Sequence, residues 1–438
     1  MSRRRRRSRI ALRLAISSRK LMASRMLVSC FMLIFPGLFF AYQFVVRLLP
    51  SLLTDQLMQQ LSIGAGMFGS ISGVYYFGYS LAHIPIAMLI EKYSPRSVIS
   101  TSYITCGLLL FAFHNTTNFY LALVLRLLIG IVSSVGFVGS SKVALQWFAK
   151  EDYGVAFSFV FALALFGAVF SGEPMAALLD SYGSKTVVLA LVGLSGILSF
   201  CTFLFLRSPD ARDDQSGGAA LGLKDVKTLV FSPAVLVLGS VSFSMVGLYN
   251  GFADLWGVRY ITLNFSMPRS DAAFAVSSVF YGIMIGGPVL TYLGRKFGDG
   301  FIVACTGVLT AVIFYTVILS DMELSKWFLA VCMFFMGILA SYQVLVLSMC
   351  ARIVSNRLAT VAVSLLNCMN MLGGIAFHTS IGAGLDYLWD GTMRGEFRFY
   401  SAENFHIALL VIPAGALIGV LAVGIVLRML RKNPVFHT

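Results

Sequence analysis

The chain has 438 residues, of which 58% are hydrophobic and 12% are charged, and its formal net charge is +14. Soluble domains carry about 25% charged residues, so this composition excludes an ordinary soluble protein. The basic residues concentrate in the N-terminal segment and in short loops, which argues against a nucleic-acid partner. Many apolar runs are long enough to cross the roughly 30 Å hydrocarbon core of a bilayer. We therefore predict an all-α membrane protein whose outer surface contacts membrane lipids.

The apolar runs predict twelve transmembrane helices in two groups of six. The first group lies near Met26–Leu52, Ala65–Ile90, Val98–Phe113, Tyr120–Ala144, Tyr153–Leu178 and Lys185–Phe205. The second group lies near Phe231–Val258, Asp271–Leu293, Phe301–Ser320, Lys326–Cys350, Ala359–Leu385 and Phe405–Leu427. Helices are expected because backbone groups in lipid must form hydrogen bonds within their own segment.

A hydrophilic stretch between the two groups gives the predicted domain organisation. It comprises a basic N-terminal tail (1–25), a first six-helix bundle (26–206), a linker (207–230), a second six-helix bundle (231–428) and a C-terminal tail (429–438). With the N-terminus in the cytoplasm, most loop lysines and arginines also fall on the cytoplasmic side, as the positive-inside rule requires. We therefore expect both termini to be cytoplasmic, in a bacterial inner membrane.

One loop sequence occurs twice, about half a chain apart. The first copy is Ala87–Arg96 (AMLIEKYSPR) and the second is Gly287–Lys296 (GPVLTYLGRK), and each joins two apolar helices. A repeat of this period indicates two similar halves, and in a membrane protein it favours a transporter whose halves are related by a pseudo-two-fold axis.

The two loops resemble the loop motif of the major facilitator superfamily, which runs glycine, three residues, aspartate, arginine, one residue, glycine and then basic residues. The helix count, the central linker and the repeat extend this resemblance over the whole chain. It implies a charge latch that gates the transporter, formed here by Glu91, Lys92, Arg96, Arg295 and Lys296. Thr291 replaces the acid of the second copy, so that half is expected to lack its latch. The alternative is loop charge that only sets orientation.

Arg47 is the main candidate for substrate binding. An arginine inside a membrane helix costs at least about 2.5–3.5 kcal/mol to insert, so it should face a polar cavity. Gln43 lies one turn earlier on the same face, and Tyr75, Tyr79 and His83 follow one another at helical spacing in the second helix. The other predicted substrate-binding residues are Asn250, Asn370 and His378. The alternatives are a salt-bridged gate or a snorkelling charge for Arg47, and packing roles for the histidines.

The first helix and the dipeptide Pro95-Arg96 are similar to those of the organophosphate antiporters of the superfamily. In that group the arginine that matches Arg47 binds the substrate phosphate, together with a second arginine on the seventh helix. Matching Trp256 and Tyr260 to that group's aromatic residues places Asn250 at the second arginine's position. The resemblance therefore implies a site with one arginine, and a guanidinium pairs well with a carboxylate. We predict an organic anion or zwitterion as substrate.

Three charged residues inside predicted helices are candidates for proton coupling. Arg126 and Gly130 resemble the Arg-x-x-x-Gly element of the superfamily's fourth helix, and Arg126 must be paired or hydrated there. Glu173 interrupts a Gly-Pro pair, and Asp254 lies one turn after Asn250. Burial favours the neutral form of a carboxylic acid, so either acid could carry a proton. The alternatives are a structural ion pair for Arg126 and a solvated position for Asp254.

Enzyme activity is not expected, because the sequence has no nucleotide-binding, hydrolase or metalloprotease motif. Seven cysteines lie in or beside apolar runs without a metal-binding spacing, so neither a metal nor a cofactor is expected. The prediction is a monomeric secondary transporter that moves a small polar, carboxylate-bearing solute by alternating access, with coupling to protons as one option. The rival hypotheses are an exporter of amphipathic compounds and a sensor or scaffold that does not transport.

Overall fold

A computed structural model describes residues 2–148, 153–207, 229, 231–320, 322–354, 356–394 and 397–432. The side chains of residues 2–25 and of Glu91 are not among those described. The predicted linker over residues 207–230 falls outside the described residues except for Arg207 and Leu229. The first helix begins at Ser2, so the segment predicted as an N-terminal tail continues that helix.

The described chain is almost entirely helical. The helices of the first half are α1 (Ser2–Leu52), α2 (Thr54–Leu61), α3 (Ala65–Tyr93), α4 (Pro95–Asn115), α5 (Phe119–Ser133), α6 (Val135–Trp147), α7 (Tyr153–Phe170) and α8 (Glu173–Phe205). Those of the second half are α9 (Pro233–Met245), α10 (Gly257–Asn264), α11 (Arg269–Phe297), α12 (Asp299–Ile313), α13 (Lys326–Ala340), α14 (Tyr342–Ile353), α15 (Asn356–Leu388), α16 (Ala402–Leu409) and α17 (Val411–Lys432). Two π-helical stretches, Gly247–Trp256 and Phe314–Ile318, follow α9 and α12, and a small antiparallel hairpin pairs β1 (Met393–Arg394) with β2 (Phe397–Arg398).

Nine segments in the described part of the chain are long and apolar enough to cross a membrane. They are Met26–Leu52, Pro95–Asn115, Phe119–Trp147, Glu173–Phe205, Pro233–Asn264, Arg269–Phe297, Asp299–Ile318, Lys326–Ile353 and Ala402–Met429. The predicted all-α membrane fold is therefore confirmed, while the count of twelve spans stays a prediction. Helices of 29 and 33 residues, α3 and α15, stand at two of the remaining predicted positions.

The predicted fifth span, Tyr153–Leu178, is interrupted. Helix α7 ends at Phe170, a turn follows, and α8 begins at Glu173 with a proline in its first turn. Proline has no amide hydrogen, so a helix can begin there more easily than it can continue. Within α8, Gly183 adopts φ 76°, which divides the helix into two arms.

The same helix pairs occur in both halves. In the first half, α1 packs on α7, α3 on α5 and α4 on α8. In the second half, the equivalent pairs are α9 with α15, α11 with α13 and α12 with α17. The halves meet where α3 packs on α15 and where α11 packs on α7 and α8, two contacts that a two-fold rotation exchanges. This arrangement confirms two bundles related by a pseudo-two-fold axis.

The halves approach most closely near the start of α3 and the end of α15. A Cβ atom at Gly69 would overlap the carbonyl oxygen of His378, and one at Gly382 would overlap that of Ala65. Small residues let membrane helices approach in this way. We call the end of the molecule that carries residues 52–66, 382–394 and 397–400 the closed end.

Candidate functional site

Arg47 lies at the contact between the two halves and is 8% exposed. Its Nη2 atom is 2.9 Å from Oδ1 of Asp254 and donates a hydrogen bond of 2.9 Å to the hydroxyl of Tyr249. Both partners belong to the π-helical stretch of the second half, and Asp254 is 3% exposed. A buried ion pair of this kind is strongly destabilised when one partner is removed, because the other charge is then uncompensated.

Aromatic side chains enclose this ion pair. The guanidinium of Arg47 lies 4.5 Å from the ring centroid of Phe44, 5.5 Å from that of Tyr76 and 5.3 Å from that of Tyr249. Such contacts attract a cation to the face of the ring. The Tyr76 hydroxyl also donates a hydrogen bond to Oδ2 of Asp254. Two residues of the first half, Arg47 and Tyr76, therefore hold the carboxylate of Asp254 from the second half.

The predicted row of polar side chains on α3 is continuous with this cluster. The Tyr75 hydroxyl donates to Oε1 of Gln43 at 2.5 Å. The rings of Tyr75 and Tyr79 are stacked with centroids 6.1 Å apart, and those of Tyr79 and His83 are 5.0 Å apart. Nδ1 of His83 is 2.8 Å from the carbonyl oxygen of Tyr79. The helical spacing seen in the sequence thus places Gln43, Tyr75, Tyr79 and His83 side by side.

Arg126 contacts the backbone of α1 directly beside Arg47. It is 2% exposed, and its Nη1 and Nη2 atoms donate to the carbonyl oxygens of Val46 and Arg47, each at 3.3 Å. Pro50 lacks the amide hydrogen that would normally bond to the Val46 carbonyl one turn earlier. The guanidinium of Arg126 therefore satisfies a carbonyl that the proline leaves free, and it supports the backbone that carries Arg47.

Comparison with known proteins decides the family. A model of the Major Facilitator Superfamily matches residues 22–378. The chain belongs to this superfamily. Members of this superfamily are integral membrane transporters of small-molecule solutes.

Two named relatives of the transporter differ in what their names say they carry. The probable galactarate/D-glucarate transporter of Escherichia coli (strain K12) is 22% identical over 282 residues, which are 57% of this chain and 63% of that protein. A quinolone resistance transporter of Acinetobacter baumannii is 29% identical over 164 residues, 35% of this chain and 36% of that protein. The transporter thus matches less than two thirds of the length of either relative.

Solved structures share the fold of the transporter over nearly its whole length. A crystal structure of the nucleoside transporter NupG matches with a TM-score of 0.72 at 12% identity. The match covers 91% of this chain and 99% of that one. At this identity the likeness shows the fold alone.

The remaining predicted binding residues lie on α15 and in the π-helical stretch. Asn250 is fully buried, and neither polar atom of its amide has a hydrogen-bond partner among the described residues. Its backbone carbonyl contacts Nε2 of His378, whose ring lies 5.4 Å from that of Tyr76. Asn370 is buried on the same helix as His378, but it is not among the described residues that contact Arg47.

The two candidate acids differ in their positions. Asp254 is buried and paired with Arg47, so the alternative of a solvated acid does not fit the structure. Glu173 is exposed at the first position of α8 and lies outside the Arg47 cluster. A coupling role for Glu173 or Arg126 stays a prediction.

The predicted latch residues lie at the opposite end of the bundles from the closed end. Lys92, Arg295 and Lys296 are exposed, and the guanidinium of Arg96 lies 4.3 Å from the ring centroid of Phe203. The side chain of Glu91 lies outside the described residues. The gating role of these residues is therefore untested.

The sequence analysis missed Tyr249. In an α-helix, Asn250 and Asp254 would share a face, because residues four positions apart are neighbours. The backbone is instead π-helical here, and this wider helix brings residues five positions apart into line. Tyr249 and Asp254 therefore both contact Arg47. A π-helix has no reliable sequence pattern.

Proposed function

We propose that this transporter moves a small carboxylate-bearing organic anion by alternating access, and that Arg47 binds the carboxylate. One observation carries the proposal: the buried Arg47 guanidinium of the first half already holds a carboxylate, Asp254, from the second half. Guanidinium groups pair with carboxylates through strong, charge-assisted hydrogen bonds. A substrate carboxylate can therefore take the position that Asp254 occupies in this state.

The surrounding side chains suit a polar anion. Hydroxyl, amide and imidazole groups on both sides of the contact offer hydrogen bonds to the rest of such a molecule. They belong to Gln43, Tyr75, Tyr79, His83, Asn250, Asn370 and His378. The name of the Escherichia coli relative, which specifies galactarate and D-glucarate, supports an anionic substrate.

Proton coupling follows from competition for Arg47. When Asp254 is ionised, it holds the arginine and links the halves. Protonation removes its charge, so the arginine becomes free for a substrate carboxylate. Asp254 is thus our first candidate for the coupling residue, and Glu173 and Arg126 are the others.

The other end of the molecule would carry the second gate. In this proposal Glu91, Lys92 and Arg96, together with Arg295 and Lys296, form the latch that opens and closes on the cytoplasmic side. Both termini would face the cytoplasm across a bacterial inner membrane, and a single chain would be the transporting unit.

Thermal stabilisation of the purified protein tests the proposal. A bound ligand raises the free energy of unfolding by RT ln(1 + [L]/Kd), so a substrate should shift the melting temperature in a concentration-dependent way. The panel would contain galactarate, D-glucarate, mono- and dicarboxylates, phosphate esters, amino acids and lipophilic cations, at an acidic and an alkaline pH. We expect carboxylate hits that vanish in Arg47→Ala.

An exporter of amphipathic compounds is the second candidate, favoured by the identity to the quinolone resistance transporter. It predicts hits among lipophilic cations that are unchanged by Arg47→Ala. That result would overturn the organic-anion proposal.

A further inference from the structure

Asp386, near the end of α15, contacts the start of α3 in the other half. Its Oδ1 atom accepts a hydrogen bond from the backbone amide of Ala65 at 3.1 Å, and its Oδ2 atom accepts one from Gly66 at 2.8 Å. The first amides of a helix have no partner within the helix, and a side chain just before it usually caps them. Here Gly64 precedes the helix and offers no side-chain cap. The cap comes from the second half instead.

Two further side chains hold this carboxylate in place. The Tyr400 hydroxyl donates to Oδ1 of Asp386 at 2.5 Å and itself accepts a hydrogen bond of 2.9 Å from the Ala65 amide, which it shares with Asp386. Nη1 of Arg398 lies 3.2 Å from Oδ1. Burial and the hydrogen bond to Asp386 raise the pKa of Tyr400 to about 12, so its hydroxyl remains a donor at physiological pH. Residues of the loop after α15 therefore orient the cap.

The glycines around the cap leave room for it. A Cβ atom at Gly64 would lie 2.6 Å from Oδ1 of Asp386, and one at Gly66 would lie 2.8 Å from Oδ2. Gly382, one turn before Asp386, packs directly on the backbone of Ala65. A serine or aspartate at position 64 would cap α3 from its own half but would collide with the carboxylate.

We propose that Asp386 is a positioning residue of the transport cycle, because its carboxylate caps α3 only while the closed end is shut. Opening this end separates α3 from α15 and leaves the first amides of α3 to water. Helix α3 carries Tyr75, Tyr76 and Tyr79, so the cap also fixes the helix that lines the candidate site. The inference does not depend on which solute the transporter carries.

Among the described residues, two ion pairs also join the halves at this end, and their carboxylates are more exposed. Asp55 pairs with Arg259 and Asp180 pairs with Arg269, with 75% and 53% of the two carboxylate side chains exposed. The side chain of Asp386 is 26% exposed. Exposed ion pairs contribute little, whereas a helix cap that is shielded from water contributes more. Asp386 is therefore the contact whose loss should alter opening most.

Spin-label distance measurements across the closed end test this inference. Labels at Gln59 in the first half and Met322 in the second are both exposed, in a background without native cysteines. We expect Asp386→Ala to increase the ratio of open to closed molecules about fivefold, the factor expected for loss of a typical helix cap. Asp386→Asn, which keeps one acceptor oxygen, should give a smaller increase.

Asp390→Asn is the matched control. Asp390 lies four positions later, and its carboxylate accepts a hydrogen bond from the backbone amide of Thr392 in its own loop. This variant should leave the distance distribution unchanged. If both Asp386 variants fold and the distance distribution is again unchanged, the inference is wrong. A lower melting temperature alone would not rescue it, because loss of stability does not show a change in opening.

Gly64→Ala provides a second route if Asp386→Ala does not fold. It keeps the carboxylate but places a methyl group against it, so the open population should again increase. The control is Gly196→Ala, where a Cβ atom would meet no atom within 4 Å. An unchanged distance distribution in Gly64→Ala would contradict the proposed cap.

Discussion

Arg47 and Asp254 are 207 positions apart in the sequence, and their side chains are 2.9 Å apart in the structure. Arg47 lies on α1, which packs on α7, and Asp254 lies in the π-helical stretch that follows α9 and packs on α15. These two helix pairs are equivalent in the two halves. The ion pair therefore joins equivalent helices of the two halves across the pseudo-two-fold axis. Any rocking of the halves that opens the closed end must separate these charges, or another group must replace one of them.

Asp254→Asn should increase affinity for a carboxylate and abolish coupling to protons. The amide removes the competing charge, and a hydrogen bond to a charged group is worth about 1.5–3 kcal/mol, so binding should tighten about tenfold or more. Titration calorimetry measures the affinity, and uptake with and without a proton gradient measures the coupling. Glu403→Gln, a change at an exposed acid in the first turn of α16, is the control. Weaker anion binding in Asp254→Asn would contradict the competition that we propose.

Tyr249→Phe should destabilise the protein by about 1 kcal/mol, because one hydrogen bond of the buried Arg47 guanidinium is lost. Chemical denaturation in detergent measures the change. Tyr281→Phe, at a tyrosine that is 43% exposed, should change stability little. Equal effects of the two substitutions would mean that the Tyr249 hydroxyl contributes nothing to holding Arg47.

Arg126→Leu should destabilise the protein more than Arg126→Lys does. Leucine leaves the carbonyls of Val46 and Arg47 unpaired, and each buried unpaired group costs about 1–3 kcal/mol. Lysine can still donate to one of them. Comparing the anion affinity of Arg126→Lys with that of wild type tells whether Arg126 also positions Arg47. We expect Arg126→Lys to bind the anion more weakly. Unchanged affinity in a folded Arg126→Lys variant would limit this residue to a structural role.

Gly69→Ala should hinder closure of the halves, because its Cβ atom would overlap the carbonyl oxygen of His378. Forcing one methyl group into a tight contact costs about 1–3 kcal/mol. Cysteine cross-linking across α3 and α15 should become slower. At Gly193 a Cβ atom would meet no atom within 4 Å, so Gly193→Ala should leave the rate unchanged. Equal cross-linking rates in Gly69→Ala and Gly193→Ala would show that closure of the halves does not need the tight contact at Gly69.

Local patterns predicted much of the site. The spacing of Gln43 and Arg47, and of Tyr75, Tyr79 and His83, needs only regular helices to bring each group onto one face. The repeat and the apolar runs likewise predicted two bundles. These features depend on residues close together in the chain.

Long-range contacts were not predictable in the same way. Asp386 caps an amide 320 positions away, and one sequence cannot show that pairing. The second loop gives another example, since Thr291 suggested that this half has no latch. That expectation stays a prediction, but the structure pairs Asp299, at the start of α12, with Arg352 at the end of α14. An acid that follows the loop makes an ion pair that the loop pattern alone did not indicate.

Uptake into proteoliposomes is the most direct test of whether Arg47 binds the carboxylate of a transported solute. Wild type, Arg47→Ala and Arg428→Ala, a change at an exposed arginine near the end of α17, would be reconstituted at equal amounts after thermal melting confirms that each is folded. Radiolabelled galactarate and a set of other mono- and dicarboxylates would be supplied with an inward proton gradient. We predict saturable uptake of at least one carboxylate by wild type and Arg428→Ala, and its loss in Arg47→Ala. Equal carboxylate uptake by folded Arg47→Ala would contradict the account.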